Sequence, residues 1–192
     1  MRTIHDRLDE IVPKITDPSF KDSKGLGKEV GYHIFDYDPK NEMTVRKHIP
    51  YIKKEINEKY QPLSIIECNL FQIVLQILEE KGYLEKNFTM EQKRGSNFVL
   101  NATRKSLRLT LENDLVINHI KTKAENHDIL FITGVGEVFP IIRSHVILNN
   151  IHRAVEDQPV IMFYPGKYSG QDLMLFGEIS DGNYYRAFRL ID

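Results

Sequence analysis

Two short, wholly apolar runs separated by one amphipathic stretch of helix length constrain this chain more than any other feature. Ile129-Leu130-Phe131-Ile132, within residues 127–133, shows no alternation of polar and apolar positions. That is the pattern of a strand buried on both faces. Gly134-Val135-Gly136 follows at once, and Pro140 suits the first turn of a helix. Phe139, Ile142, Val146, Ile147, Ile151 and Val155 then recur close to a 3.6-residue period and predict a helix that stops before Gln158-Pro159. Val160-Ile161-Met162-Phe163-Tyr164 is the second buried run. Parallel strands need a crossover, so the three pieces read as one strand, helix and strand unit. Ligand chemistry in such sheets gathers at the carboxyl ends of strands, here residues 134–137 and Pro165-Gly166-Lys167.

The same alternation runs through the rest of the chain. Thr3 suits a helix cap, with Ile4, Leu8, Ile11 and Val12 on one face as far as Pro13. A strand is expected over residues 32–37, and a helix over 42–59 with Val45, Ile49, Ile52 and Ile56 on one face despite Pro50. A second strand over 63–68 leads into a helix over 70–80, ended by Lys81-Gly82. Residues 83–96 break the alternation, and residues 97–123 read as one further helix. After the second buried run, residues 173–179 and 184–190 read as two strands joined through Ser180-Asp181-Gly182-Asn183, an antiparallel hairpin by length and composition. Alternation sets Tyr185, Ala187 and Arg189 on one face of its last strand and Tyr184, Arg186, Phe188 and Leu190 on the other. The expected fold is α/β: a three-layer sandwich around a mainly parallel sheet, of Rossmann-like or degenerate P-loop-NTPase-like type, with a C-terminal antiparallel hairpin. Residues 1–192 form a single domain in this reading.

Composition narrows the function classes. Lys and Arg number 26 against 27 Asp and Glu, a formal net charge of -1, so no global field draws nucleic acid or an anionic membrane and any such contact needs a local patch. The one cysteine, Cys68 in an apolar run, excludes an internal disulfide and a multi-cysteine metal site. The first residues are charged, and no run approaches the ~20 apolar residues of a membrane helix. A cytoplasmic protein is expected.

Motifs for chemistry are partial. Gly25-Leu26-Gly27-Lys28 has Asp22 where a phosphate loop has its first glycine and Glu29 where it has Ser or Thr, and it precedes a strand rather than following one. Asp36 and Asp38 lie at a predicted strand end, where carboxylates can hold a metal, but Asp38-Pro39 is also a turn former. Gly134 and Gly136 are half of a dinucleotide fingerprint, with Phe139 in place of the third glycine. They permit a tight turn, and amides exposed at a helix start can also receive an anion. Arg143-Ser144-His145 lacks a third catalytic partner, and helical neighbours point about 100° apart. Lys167 suits either phosphate or solvent. Lys93, Arg94, Arg104, Lys105 and Arg108 make the most basic segment, flanked by Glu91, Glu112 and Asp114. It reads as a solvated helix face or a nucleic-acid surface.

Several separated blocks together resemble the BrxB family of BREX bacteriophage-exclusion systems. They are Ile132-Thr133-Gly134-Val135-Gly136 with Phe139-Pro140 and Arg143, Phe163-Tyr164-Pro165-Gly166-Lys167-Tyr168, Leu175-Phe176-Gly177, and residues 184–190. Upstream, Arg7-Leu8, Gly25-Leu26-Gly27, Phe35-Asp36-Tyr37-Asp38-Pro39 and Leu78-Glu79-Glu80-Lys81-Gly82-Tyr83 are also similar, so the resemblance covers essentially the whole chain. It implies a small cytoplasmic component of a defence system that separates methylated host DNA from phage DNA. The companions it implies are an adenine methyltransferase, a large ATPase and a PglZ-type alkaline-phosphatase-like protein, with DNA reached only through the complex.

The resemblance carries no catalytic residue, cofactor or metal ligand onto this chain. The leading expectation is a non-enzymatic adaptor that holds partners, the PglZ-type protein foremost, through Gly134, Gly136, Glu137, Arg143, His145, Gly166, Lys167, Arg186 and Arg189. A nucleotide-sensing or residual phosphohydrolase domain built on Asp36, Asp38, Gly134, Gly136 and Lys167 is the alternative. DNA binding through the basic segment is a third reading, and a homodimer stays open.

Overall fold

The computed structural model of the chain describes residues 2–22, 31–155, 158–180, 182 and 187–192. Thr3 caps α1 (Ile4–Asp9) in a reciprocal capping box with Asp6, and α2 (Ile11–Thr16) and α3 (Pro18–Asp22) follow. Next come β1 (Tyr32–Tyr37), a short 3-10 turn, and α4 (Glu42–Lys59). β2 (Ile65–Asn69) runs straight into α5 (Leu70–Glu80), because the Asn69 carboxamide oxygen accepts from the Gln72 N–H at 3.0 Å and ends the strand as a helix cap. Three helices then intervene, α6 (Leu84–Arg94), α7 (Ser96–Leu107) and α8 (Leu115–Ala124). β3 (Ile129–Thr133), the single turn α9 (Val135–Val138), α10 (Ser144–Asn150) and β4 (Val160–Tyr168) make the predicted crossover. β5 (Leu173–Leu175), β6 (Ile179–Ser180) and β7 (Phe188–Arg189) close the chain.

The sheet order is β2-β3-β4-β1-β7, with every neighbouring pair parallel; β5 and β6 extend it by antiparallel pairing onto the far end of β4. Successive side chains in a strand point to opposite faces, and here both faces are apolar. Ile34, Leu130, Ile132, Val160 and Met162 enter one core with α5, α8, α9 and α10. Phe35, Ile129, Phe131, Ile161 and Phe163 enter the other with α1, α2 and α4. Helices thus cover both faces of an open, mostly parallel sheet, which is the three-layer α/β architecture expected. Among the described residues no helix is long and apolar enough to cross a membrane.

Four expectations need correction. The helix expected over 97–123 is two helices: Arg108 and Thr110 take positive φ, and buried Asp114 restarts the chain as the cap of α8, its Oδ1 accepting from Val116 and Ile117. Residues 84–94, read as irregular, form α6. The helix expected after Gly136 breaks because Phe139, preceding a proline, is extended (φ -66, ψ 137). Finally, β4 does not stop at Tyr164, and the C-terminal hairpin is not the one expected. Pro165-Gly166-Lys167-Tyr168 continue the strand and pair with β5, so the hairpin lies between residues 166 and 180. Phe188 and Arg189 instead lie parallel beside His33 and Ile34 of β1. The segments 25–28 and 183–186, including the glycine motif and Arg186, lie outside the described residues.

His33 is 5% exposed, with its ring between Phe20 (4.6 Å between centroids) and Phe188 (5.9 Å), and neither ring nitrogen finds a hydrogen-bond partner. Burial, with Lys14 adding repulsion, lowers its pKa to about 4. The unfolded chain therefore takes up a proton between pH 6.5 and about 4 that the folded chain refuses. The sign follows: His33 costs nothing above pH 6.5, and stability falls as pH drops towards 4, by about 3 kcal/mol in all. Urea midpoints measured across this window should decline less steeply in His33→Phe than in the parent; identical slopes would refute the assignment.

Candidate functional site

The helix after β1 covers one face of the sheet and the helices after β2 and β3 cover the other, so connections diverge beside β1 and its neighbour β4. That divergence opens a crevice at the carboxyl ends of strands, the usual place for a ligand in open α/β sheets. Asp36, the last residue but one of β1, lies there, opposite Tyr164 of β4. Its residue is 7% exposed, and such burial requires every carboxylate lone pair to be matched. Oδ1 accepts from Arg7 Nη2 at 3.0 Å and Arg189 Nη1 at 3.1 Å. Oδ2 accepts from Arg189 Nη1 at 3.0 Å and from the Tyr168 backbone N–H at 3.0 Å. The two guanidiniums are themselves tied down. Arg7 donates to the Asp36 and Ile191 carbonyls and lies 4.8 Å above the Phe35 ring, and Arg189 donates to the Tyr168 carbonyl.

Beside this clasp, Lys167, Phe176, Glu178, Arg7 and Arg189 line an open cleft of about 420 Å³. Lys167 is exposed and Gly166 is buried. A Cβ on Gly166 would sit 2.2 Å from the Met174 carbonyl oxygen, so this glycine serves the close pairing of β4 with β5. Asp38 lies in the same wall and makes the turn its sequence suggested, Oδ1 accepting from the Lys40 N–H at 2.9 Å.

The Gly134 to Gly136 turn lies under the tip of the hairpin. Gly134 is left-handed (φ +71), and a Cβ on Gly136 would meet the Phe176 ring and Pro165 at 3.0 Å. Phe176 also packs edge-on to Phe139, 6.3 Å between centroids. The backbone approach that a dinucleotide motif reserves for pyrophosphate is taken here by an aromatic ring. α9, one turn long, offers little macrodipole to an anion.

Glu137 is part of a second polar cluster at the same sheet end. Arg46 pairs with Glu137 at 2.9 Å and with Glu42 at 3.0 Å, and Asn69 Nδ2 reaches Glu137 at 3.4 Å. The Tyr37 hydroxyl donates to Glu42 at 2.7 Å. Burial first, then the Glu42 charge, raises the Tyr37 pKa, and the Glu42 hydrogen bond raises that of Arg46. The cluster stays protonated on Tyr37 and charged on Arg46.

The fold brings Gly134, Gly136, Glu137, Gly166 and Lys167 to one end of the sheet, where the sequence reading puts the strand ends 134–137 and 165–167; Arg189, expected in a C-terminal hairpin, joins them from β7 through its bonds to Asp36. Arg143 is exposed at the start of α10 and His145 half-buried two residues on, and neither lines the cleft. Arg7, Tyr37, Arg46, Asn69 and Phe176 belong to this end too and are not named as site residues from the sequence, although Arg7, Tyr37 and Phe176 stand in its family-like blocks. Asn69 alone carried a local signal, a cap residue just before an apolar helix. Burial pushes the Cys68 thiol up to about 11, as a structural thiol requires. Among the described residues no three His, Cys, Asp or Glu side chains are grouped to hold a metal. In the basic segment, Arg104 donates to the carbonyls of Pro140 and Ile141, and Arg94 stacks on Phe98 at 4.7 Å.

Comparison with known proteins adds a family. A family model described as "BREX protein BrxB" matches residues 66–190, well over half of the chain. A BREX protein BrxB of Bacillus cereus (strain H3081.97) is 61% identical over 192 residues, all of both chains, and one of Escherichia coli O9:H4 (strain HS) is 32% identical over 187 residues, 96% of this chain and 90% of the relative. No solved structure matches significantly.

Removing the charge from Asp36 leaves two guanidiniums facing each other. Asp36→Asn should lower the unfolding free energy by about 3 kcal/mol, the low end for a broken buried pair because Arg189 is a third exposed. The check is a denaturant titration with Arg189→Ala and the double variant. A coupling energy near zero would show that the clasp does not hold the termini to the sheet.

Proposed function

The chain belongs to the BrxB family of BREX proteins, and from that membership we propose that it is a non-enzymatic adaptor of an anti-phage defence complex. It holds partner proteins at the carboxyl end of its sheet, the PglZ-type alkaline-phosphatase-like protein foremost, and links them to the large ATPase and the adenine methyltransferase. DNA is met through those partners.

The observation that carries this reading is the state of the crevice. The acidic residue in the position where an α/β enzyme would present a metal ligand or base has its four acceptor sites taken by Arg7, Arg189 and the Tyr168 amide. The glycine turn where a phosphate would approach lies against Phe176 and Pro165. A rigid end of sheet with Lys167 exposed and Gly166 locked in a strand suits recognition by shape and charge, which needs no turnover.

Co-expression of the full chain with each companion protein tests it. Retention of the PglZ-type protein through size exclusion is expected, and calorimetry of the chain alone with ATP or GTP and magnesium should show no heat of binding. Micromolar nucleotide affinity, or cleavage of a phosphoester lost in Asp36→Asn or Lys167→Ala, would replace the adaptor with the sensor or phosphohydrolase alternative.

A further inference from the structure

The α6 and α7 helices form an arm that the sheet does not need. α6 buries no residue. The pair is anchored at its base, where Leu84 packs on the core and Leu107 is fully buried, and is stitched midway by Asn87 Nδ2 donating to Thr103 Oγ1 at 3.1 Å. Beyond that stitch the arm stands in solvent up to Gly95, whose φ of +80 permits two helices to meet with one residue between them. Ser96 Oγ donates to Glu91 at 2.6 Å across that joint. The two helices are well formed, so the arm is a defined shape rather than a loose connection.

Its side chains are not those of a neutral solvated face. Phe88 is 54% exposed and Phe98 38% exposed, although burying a phenylalanine is worth about 1.5–3 kcal/mol. Residues 84–108 carry six cations (Lys86, Lys93, Arg94, Arg104, Lys105 and Arg108) against two carboxylates (Glu85 and Glu91), a local charge of +4 in a chain whose total is -1. Exposed aromatics among cations are the composition of an interface core with a charged rim.

We propose that this arm docks on an acidic face of a partner protein whose apolar groove receives Phe88 and Phe98. The proposal rests on the adaptor reading and names a surface for it away from the crevice. A protein face fits better than nucleic acid. Arg104 is committed to the Pro140 and Ile141 carbonyls and Arg94 to the Phe98 ring. Lys86 lies over the Tyr83 ring at 5.6 Å, and Lys93, Lys105 and Arg108 are left without an ion pair among the described residues, a small footprint for a phosphate backbone whose grip scales with the charges neutralised. Nor does backbone recognition use two apolar rings on separate helices, whereas a groove in a protein covers both.

The test measures the affinity of the full chain for the purified companion BREX protein that retains it, beside Phe88→Ala/Phe98→Ala and Lys93→Glu/Lys105→Glu. All four positions are exposed, so thermal midpoints should match the parent and confirm folding. Each pair should weaken binding at least tenfold, and the parent's affinity should fall as salt rises. Parent-like affinity in both variants overturns the arm and leaves the adaptor standing. A parent chain that holds no companion overturns both. Retention of duplex or single-stranded DNA by the parent, lost in Lys93→Glu/Lys105→Glu, reassigns the arm to nucleic acid and overturns the proposal.

Discussion

The carboxylate of Asp36 is the point at which distant parts of the chain are made to agree. It receives Arg7 from the first helix, Arg189 from the last strand and the amide of Tyr168 from the extended β4. A buried carboxylate is costly unless it is paired and hydrogen-bonded, so each of these partners must be in place for any to be worth its desolvation. The result is a cooperative fastening. The first helix and the last strand are held together at the carboxyl end of β1, beside the ladders and the apolar cores above and below the sheet.

That fastening occupies the position where an open α/β sheet normally presents its chemistry. α4 leaves β1 towards one face of the sheet and α9 and α10 leave β3 towards the other, which opens the crevice about β1 and β4, and in many folds of this class the space is left to a ligand. Here β4 runs on past the crevice, turns back as the 166–180 hairpin, and sets Phe176 over the glycine turn. The same protein end thus offers backbone, the exposed side chains of Lys167, Phe176 and Glu178, and the tethered guanidiniums of Arg7 and Arg189. A surface of that kind is fixed in shape and charge, and membership of the BrxB family places it in the setting of phage exclusion.

The arm of α6 and α7 answers to a different constraint. It contributes Leu107 and part of Leu84 to the core and is tied to the chain before α10 by Arg104, which leaves Phe88, Lys93 and Lys105 exposed to solvent. Sheet end and arm are therefore separable surfaces on one scaffold, one shaped by the clasp and the other by its own helix pairing.

Much of the framework was legible along the chain. The runs at 129–132 and 160–164 are apolar without alternation, the short segment 32–37 is strand-forming around Ile34 and Phe35, and the helices at 42–59 and 70–80 keep a 3.6-residue period. Those patterns report on the nearest neighbours in sequence and on which face meets water, and both are decided locally. The position of Gly134, Gly136, Glu137 and Lys167 at one sheet end followed from the same logic, since strand ends and the turns after them are local features. What the sequence alone could not decide was pairing at long range. Gly166 and Lys167 look like a turn by composition and are strand because β5 lies beside them; Phe188 and Arg189 look like half of a hairpin and pair with β1 instead. Arg7 and Asp36 are 29 residues apart, and Asp36 and Arg189 are 153 apart, with nothing local to announce either contact. Periodicity fixes what a segment is; only the closing of the tertiary structure, where buried charges must find partners, decides what it touches.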